Sequence, residues 1–178
     1  TETKEIAKAV VKIRKIIQRG TINMNTNASL PNKVKVLCEA GVDSFRVSLN
    51  TADQSLYNIY FRPRGYRYSD VLESIKIAKR HGKFVALNLF VFPGISDDQR
   101  QIKKLNKLID NTGVDMIQWR NLNIDPYFYL REMAFKKFKP QGIMNLVCTI
   151  EKSFPKLKIG YFNLTKEQFK TFRNMAIK

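Results

Sequence analysis

The sequence predicts an α/β fold of about four parallel βα units arranged around a polar interior, and three observations predict it. Four helix-like segments each run into a glycine, at Gly20, Gly41, Gly82 and Gly113, and a short strand-like run follows each one. The segments between the strand-like runs are long enough to cross back over a sheet, which keeps successive strands parallel with right-handed crossovers. The strand-like runs alternate apolar and polar side chains, so that one face meets helices and the other presents hydrogen-bonding groups.

The elements follow in order. Ile6, Ala9, Val10, Ile13, Ile16 and Ile17 recur at three- and four-residue spacing with Lys and Arg between them, which predicts an amphipathic helix closed by Gly20 in a left-handed conformation. A strand is expected near 21–27. Pro31 to Ala40 predicts a second helix, with Ser29 or Asn32 as caps and Val34, Leu37 and Cys38 inward, ahead of Gly41 and a strand at 44–50. Ser69 is the expected cap of a third helix that buries Leu72, Ile75 and Ala78 and ends at Gly82, before a strand at 84–92. A fourth helix is expected to begin near Ser96 and Asp97, after a Pro93-Gly94 turn, and to carry Ile102, Leu105, Leu108 and Ile109 to Gly113; a strand at 115–123 follows. Beyond it, Gly142 to Phe154 has helical spacing, Pro155 breaks it, and Leu157 to Asn163 reads as a short strand before a basic terminal helix.

The polar face is where function is expected. In Phe45 to Asn50 the polar positions are Arg46, Ser48 and Asn50; in the first strand they are Asn23, Asn25 and Asn27. In the last strand Gln118 and Arg120 alternate with Ile117 and Trp119. A small closed barrel normally fills its interior with branched apolar side chains. A row of amides, hydroxyls and guanidinium groups instead implies a lumen that holds a ligand.

Composition narrows the class. Of 178 residues, 44% are hydrophobic and 26% charged, ordinary for one globular domain; the expected division is a βα barrel part over 1–130 and a basic extension over 131–178 packing on it. No apolar run approaches the ~20 residues of a membrane span. The first residues lack a signal-peptide core, and the two cysteines, 110 positions apart on two helices, make neither a metal-ligand spacing nor a disulfide framework. A cytoplasmic location and two buried thiols are the expectations. For the same reason Asn163-Leu164-Thr165, though it fits a glycosylation pattern, is expected to be unused. The net charge is +17, of which residues 131–178 carry +8. There Arg131, Lys136, Lys137 and Lys139 interleave with Phe135 and Phe138, just after Tyr127, Phe128 and Tyr129, a mixture that fits a nucleic-acid strand and equally fits a solvated basic surface.

Several motifs, in order, resemble the middle of a radical S-adenosylmethionine (SAM) enzyme. They are Asn25-Thr26-Asn27, then Leu37-Cys38-Glu39-Ala40-Gly41-Val42-Asp43, then Arg46-Val47-Ser48-Leu49-Asn50-Thr51-Ala52-Asp53, then Tyr57, Tyr60, Arg62 and Pro63, and finally Asn88 through Asp97. The resemblance spans roughly residues 5 to 163. It implies an incomplete (β/α)6 partial TIM-like barrel with ligands at the carboxyl ends of the strands, and SAM with a 4Fe-4S cluster as cofactors. In such enzymes the cluster reductively cleaves SAM and the 5′-deoxyadenosyl radical takes a hydrogen atom from the substrate. Ser48 and Asn50 match positions that contact the ribose or methionyl carboxylate; Asn25, Asn27 and Asn88 supply further polar contacts; Gln118 and Arg120 match the adenine and substrate region. Arg62, Arg120 and Asn123 are the implied substrate contacts.

One departure is large: the family's CxxxCxxC cluster motif is missing, and Cys38 and Cys148 cannot replace it. The chain also does not begin with Met. The resemblance therefore implies a fragment running from the second helix onward, with two βα units and the cluster ligands upstream, and inactive alone. Other readings stay open at this point: a non-catalytic basic RNA-binding βα module, or a non-iron TIM-barrel-like enzyme acting on phosphorylated metabolites. Local roles compete as well. Asn27 fits a turn, Arg120 a salt bridge to Asp125, His81 a helix C-terminus, and Arg62, Arg64 and Arg67 a solvated loop.

Overall fold

The computed structural model describes residues 2–133, 140–160, 165 and 168. Its elements are α1 (Thr3–Ile16), β1 (Asn23–Thr26), α2 (Pro31–Ala40), β2 (Ser44–Asn50), α3 (Gln54–Phe61), α4 (Tyr68–Arg80), β3 (Phe84–Val91), α5 (Gln99–Thr112), β4 (Met116–Asn121), α6 (Pro126–Glu132), α7 (Ile143–Ser153) and β5 (Lys158–Ile159). The five strands form one parallel sheet in the order β1-β2-β3-β4-β5. Because the spatial order equals the chain order, every crossover of one hand carries its helix to the same side. An open, singly wound sheet of this kind is the partial barrel that the sequence predicts, and the short strand after α7 adds to it as β5.

The core lies between the sheet and those helices. Phe45, Val47 and Leu49 of β2, Val85 and Leu87 of β3 and Ile117 of β4 are all at most 1% exposed. They meet Val10 of α1, Leu37 of α2, Ile75 of α4, Ile109 of α5 and Leu146 and Ile150 of α7 in one cluster. Each such fully buried aliphatic or aromatic side chain contributes about 1.5–3 kcal/mol. Alternation then forces the intervening residues of the strands onto the opposite face.

A Gly-Val-Asp step occurs twice at the amino ends of the strands and works the same way each time. After Gly41 and Gly113, Val42 and Val114 are buried, and Asp43 and Asp115 take a backbone N–H from the neighbouring strand region, Ile22 N at 2.7 Å and Val85 N at 2.7 Å. Each carboxylate also meets a cation from the preceding crossover helix of its neighbour: Arg14 for Asp43, and Lys79 Nζ at 2.5 Å for Asp115. Parallel register is thereby pinned at the end of the sheet away from the strand carboxyl termini.

Several boundaries differ from expectation. α1 stops at Ile16, so Gly20 is not its cap; Ile16 and Ile17 are 83% and 54% exposed, and Arg14 instead reaches forward to the Gly20 carbonyl at 3.2 Å. Neither Ser29 nor Asn32 caps α2, whose N-cap is Leu30 with Pro31 at the first turn, where a missing N–H costs nothing. Ser69 lies inside α4; Arg67 is the N-cap, and Asp70 reaches back to Arg67 N at 2.7 Å. Ser96 and Asp97 belong to the turn before α5, which Asp98 caps. Cys148 is exposed, against expectation, because Leu146 and Ile150 take the inward face of α7 and a residue two positions from each points elsewhere. α3 was not expected at all; Asp53 caps it, accepting from Ser55 N at 2.9 Å. The expected aromatic and basic residues at 135–139, the end of the strand at Asn163 with the Asn163-Leu164 part of its glycosylation pattern, and the terminal helix apart from Gln168 lie outside the described residues. No helix among the described residues is long and apolar enough to cross a membrane.

Candidate functional site

The sheet register sorts the polar side chains into rows. Ser48 pairs with Asn88, and Asn88 with Gln118, so these three stand side by side across β2, β3 and β4 on the face turned from the helices. One step towards the amino ends, Asn25 pairs with Arg46, and the row continues through Ala86 to Met116, which with Phe84 make a small apolar floor. One step towards the carboxyl ends, Phe90 pairs with Arg120. The pleat is the whole reason for this arrangement, since buried Phe45, Val47, Leu87 and Ile117 leave their neighbours no other side.

Gln118 is 0% exposed, and among the described residues neither of its amide atoms has a hydrogen-bond partner; Asn88 Oδ1 is buried and unpartnered among them too. A buried polar atom with no partner costs about 1–3 kcal/mol. Native proteins keep such atoms where something else satisfies them. The row Ser48, Asn88 and Gln118 thus carries both donors and acceptors, and those of Asn88 and Gln118 are in part unpaired among the described residues.

At the end of β2 the ladder shifts, and Asn50 takes φ 61°, with Thr51 N donating to Leu49 O at 2.7 Å across a three-residue turn. Asn tolerates that left-handed backbone better than most residues. The Asn50 side chain hydrogen-bonds the Tyr60 hydroxyl, and burial raises the Tyr60 pKa although that bond opposes it. Tyr60, Phe90 and Tyr129 form an aromatic wall, with ring centroids 5.4 Å apart for Tyr60 and Phe90 and 6.2 Å for Tyr60 and Tyr129. Burial pushes the Tyr129 hydroxyl up to about 12. Asn50, Phe90 and Tyr129, together with Thr51, Ser96 and Trp119, line a cleft of about 40 Å³ at the carboxyl ends of the strands.

The loop after β2 is held rigidly. Asp53 accepts from Gln101 Nε2 of α5 at 3.0 Å and is ion-paired with Lys104, while Tyr68 donates to Ala52 O at 3.0 Å. Across the sheet, Ser96 accepts from Phe92 N at 2.8 Å and donates to Phe90 O at 2.9 Å. Asp97, fully buried, accepts from Gly94 N and Gly142 N at 2.6 and 2.7 Å, which ties the Pro93-Gly94 turn to the start of α7.

Ser48, Asn88 and Gln118 are thus brought together, with Arg120 one step above and Asn50, after the register shift, level with Leu89. Asn25 is exposed and lies a row lower, where it accepts from Asn23 Nδ2 at 3.1 Å. Asn27 lies beyond β1 and its Oδ1 takes Ser29 N at 3.2 Å, the turn-forming role. Asn123 is exposed past the end of β4, and Arg62 sits on the rim with Glu132 at 3.2 Å. Asp125 caps α6 through Phe128 N, and His81 Nδ1 lies 2.9 Å from Ile77 O at the end of α4. Sequence reasoning missed the aromatic wall; the Tyr60 and Phe90 spacing was visible, but nothing in it showed that both face Tyr129.

No group of three or more His, Cys, Asp or Glu side chains among the described residues could hold a metal ion. Cys38 is buried on α2 and Cys148 exposed on α7, so the described residues do not fit an iron-sulfur cluster. The unpartnered amides do fit the amine, carboxylate and hydroxyl groups of an organic cofactor.

A family model for the Radical SAM superfamily matches residues 1–105. Among solved structures, the chain is similar to methylornithine synthase PylB, with TM-score 0.62 and 16% identity over 88% of this chain and 44% of that one. It is similar to HydG, a maturase of the FeFe-hydrogenase, with TM-score 0.60 and 19% identity over 96% of this chain and 40% of that one. A domain of pyruvate-formate lyase-activating enzyme from Bacteroides vulgatus ATCC 8482 matches with TM-score 0.62 and 9% identity, over 90% of this chain and 92% of that domain. At these identities the structures show the fold alone, and the chain spans less than half the length of the first two. Their shared fold, the family match and the polar row at the strand ends lead to one statement: the chain belongs to the radical SAM superfamily.

Proposed function

We propose that the chain forms the SAM-binding side of a radical SAM enzyme. The observation that supports it is the row Ser48, Asn88 and Gln118 at the carboxyl-terminal half of the sheet, where buried amide atoms of Asn88 and Gln118 lack partners among the described residues. The chemistry SAM supplies in this superfamily is abstraction of a hydrogen atom from a substrate. What these residues do is hold it in one orientation, since a reactive group formed a fraction of an ångström out of place attacks the wrong bond. Ser48 and Asn50 take the ribose hydroxyls or methionyl carboxylate, Asn88 and Gln118 bond its remaining donors and acceptors, and the Arg120 guanidinium grips an anionic substrate group. The apolar floor of Phe84, Ala86 and Met116 and the wall of Tyr60, Phe90 and Tyr129 limit water there. On this reading the cluster ligands come from polypeptide outside the described residues.

Equilibrium dialysis against radiolabelled SAM tests the reading. Saturable binding that S-adenosylhomocysteine displaces, weakened about 3- to 30-fold by Ser48→Ala or Asn88→Ala, is expected from the loss of one ligand hydrogen bond each. Absence of saturable binding at millimolar SAM would overturn it.

A further inference from the structure

The α3–α4 loop carries Arg62, Arg64 and Arg67, all exposed, along one side of an open cleft of about 750 Å³. The other side is α3, where Gln54 and Asn58, four residues apart, share a helix face. Tyr66 stands between the two sides, half-buried, its hydroxyl accepting from Tyr57 at 3.3 Å.

This loop is built to keep its shape. Buried Tyr68 bonds the Ala52 carbonyl, which anchors the start of α4 at the carboxyl end of β2. Asp70 closes the backbone at Arg67, and Arg62 has a left-handed φ of 45°, a conformation that non-glycine residues rarely hold. Among the described residues Arg62 alone of the three arginines has a carboxylate partner, Glu132 of α6. Arg64 and Arg67 line the cleft beside the amino-terminal end of α4, whose dipole adds positive potential.

The two unlike walls describe the ligand. One is cationic and suits a phosphate backbone; the other offers neutral amides, donors and acceptors alike, that suit base edges, and the Tyr66 ring between them suits stacking. A small phosphorylated metabolite would need enclosure on most sides. This cleft is open, as a passing strand requires, and the net charge of +17 favours encounter with a polyanion.

We infer that the Arg62–Arg67 cleft binds a single-stranded nucleic acid, with Arg64 and Arg67 on successive phosphates. The inference stands apart from SAM binding, since no residue of the cleft belongs to the Ser48, Asn88 and Gln118 row. Phosphodiester chemistry is common to RNA and DNA, so the test uses both.

The experiment is fluorescence anisotropy of the full chain with labelled oligo-U and oligo-dT over a salt series. The Arg64→Gln/Arg67→Gln variant should bind about tenfold more weakly, with a slope of log K against log salt lower by about 1.4, at ~0.7 per phosphate lost. A Lys103→Gln/Lys107→Gln variant, which removes the same charge from the exposed face of α5, should retain the wild-type slope. Bound oligonucleotide should also protect Arg64 and Arg67 of the wild-type chain from phenylglyoxal, a readout independent of any variant's folding. A preference for oligo-U assigns the cleft to RNA, and one for oligo-dT to DNA. No binding near ~100 mM salt, equal losses in the two variants, no protection, or displacement by micromolar inorganic pyrophosphate would each overturn the inference.

Discussion

Asn88 on β3 and Gln118 on β4 are register partners, and between them they keep three buried side-chain atoms without a hydrogen bond among the described residues: Asn88 Oδ1, Gln118 Oε1 and Gln118 Nε2. Beside a core in which the strand residues are almost completely buried, these atoms carry a desolvation cost. Such a cost persists where function requires it.

Gln118→Met should therefore stabilise the ligand-free chain. Replacing an unsatisfied amide by an apolar side chain of similar volume recovers about 1–3 kcal/mol, measured as a higher urea midpoint with an unchanged m-value. The same variant should lose SAM binding. A less stable Gln118→Met chain would mean that the amide is satisfied in solution.

Asp53 gives a pH-dependent prediction. Burial pushes its carboxyl pKa up, but the Lys104 and Gln101 side chains and the Ser55 N–H together outweigh burial, and its pKa lies below the ordinary value. A folded pKa below the unfolded one, near ~3.9, means stability that is present above that pH and is lost as pH falls through the folded pKa. Asp53→Asn, which keeps a capping oxygen, should thus cost about 1 kcal/mol at pH 7, a modest figure because Lys104 is half exposed. The gap between the two proteins should shrink in chemical denaturation below about pH 4.

Much of this fold was legible because single patterns settle it. The alternation in Phe45 to Asn50 leaves one arrangement, apolar to the helices and polar away from them, and Gly41 and Gly113 end helices as expected. α3 was not legible: it has eight residues, and the Tyr57 and Tyr60 faces diverge, one into the core and one to the site. Asp53 carried its start signal, but so short a segment has little periodicity to read. The end of α1 misled because Ile16 and Ile17 continue the apolar spacing on residues the structure leaves exposed. Within the site, Ser48 and Gln118 look alike as polar strand positions. Only tertiary packing separates half-buried Ser48 from completely buried Gln118.

The two capping glycines should differ in their tolerance of alanine. At Gly41, with φ 110°, a Cβ would lie 3.0 Å from Arg14 Cγ, and Arg14 is already committed to the Gly41 and Gly20 carbonyls and to Asp43. At Gly113, with φ 62°, a Cβ meets nothing within 4 Å. Gly113→Ala should cost about 1 kcal/mol from backbone strain alone, and Gly41→Ala about 2 kcal/mol or more. Thermal unfolding of the pair checks the order.

The thiols should separate kinetically. Cys148 is exposed, whereas Cys38 is 3% exposed and burial pushes its pKa up to about 11. Because the thiolate is the reactive form, Ellman's reagent at pH 8 should modify one cysteine quickly and the second only on unfolding. Two fast equivalents would contradict the packing of α2.

The claim that matters most is that the polar row holds SAM, and the side-chain amides report on it directly. In a nitrogen-15 NMR titration with SAM, the NH₂ resonances of Asn88 and Gln118 should shift saturably, together with the backbone amides of Ser48 and Asn50. If millimolar SAM leaves the Asn88 and Gln118 side-chain resonances where they are, the row is not its binding site.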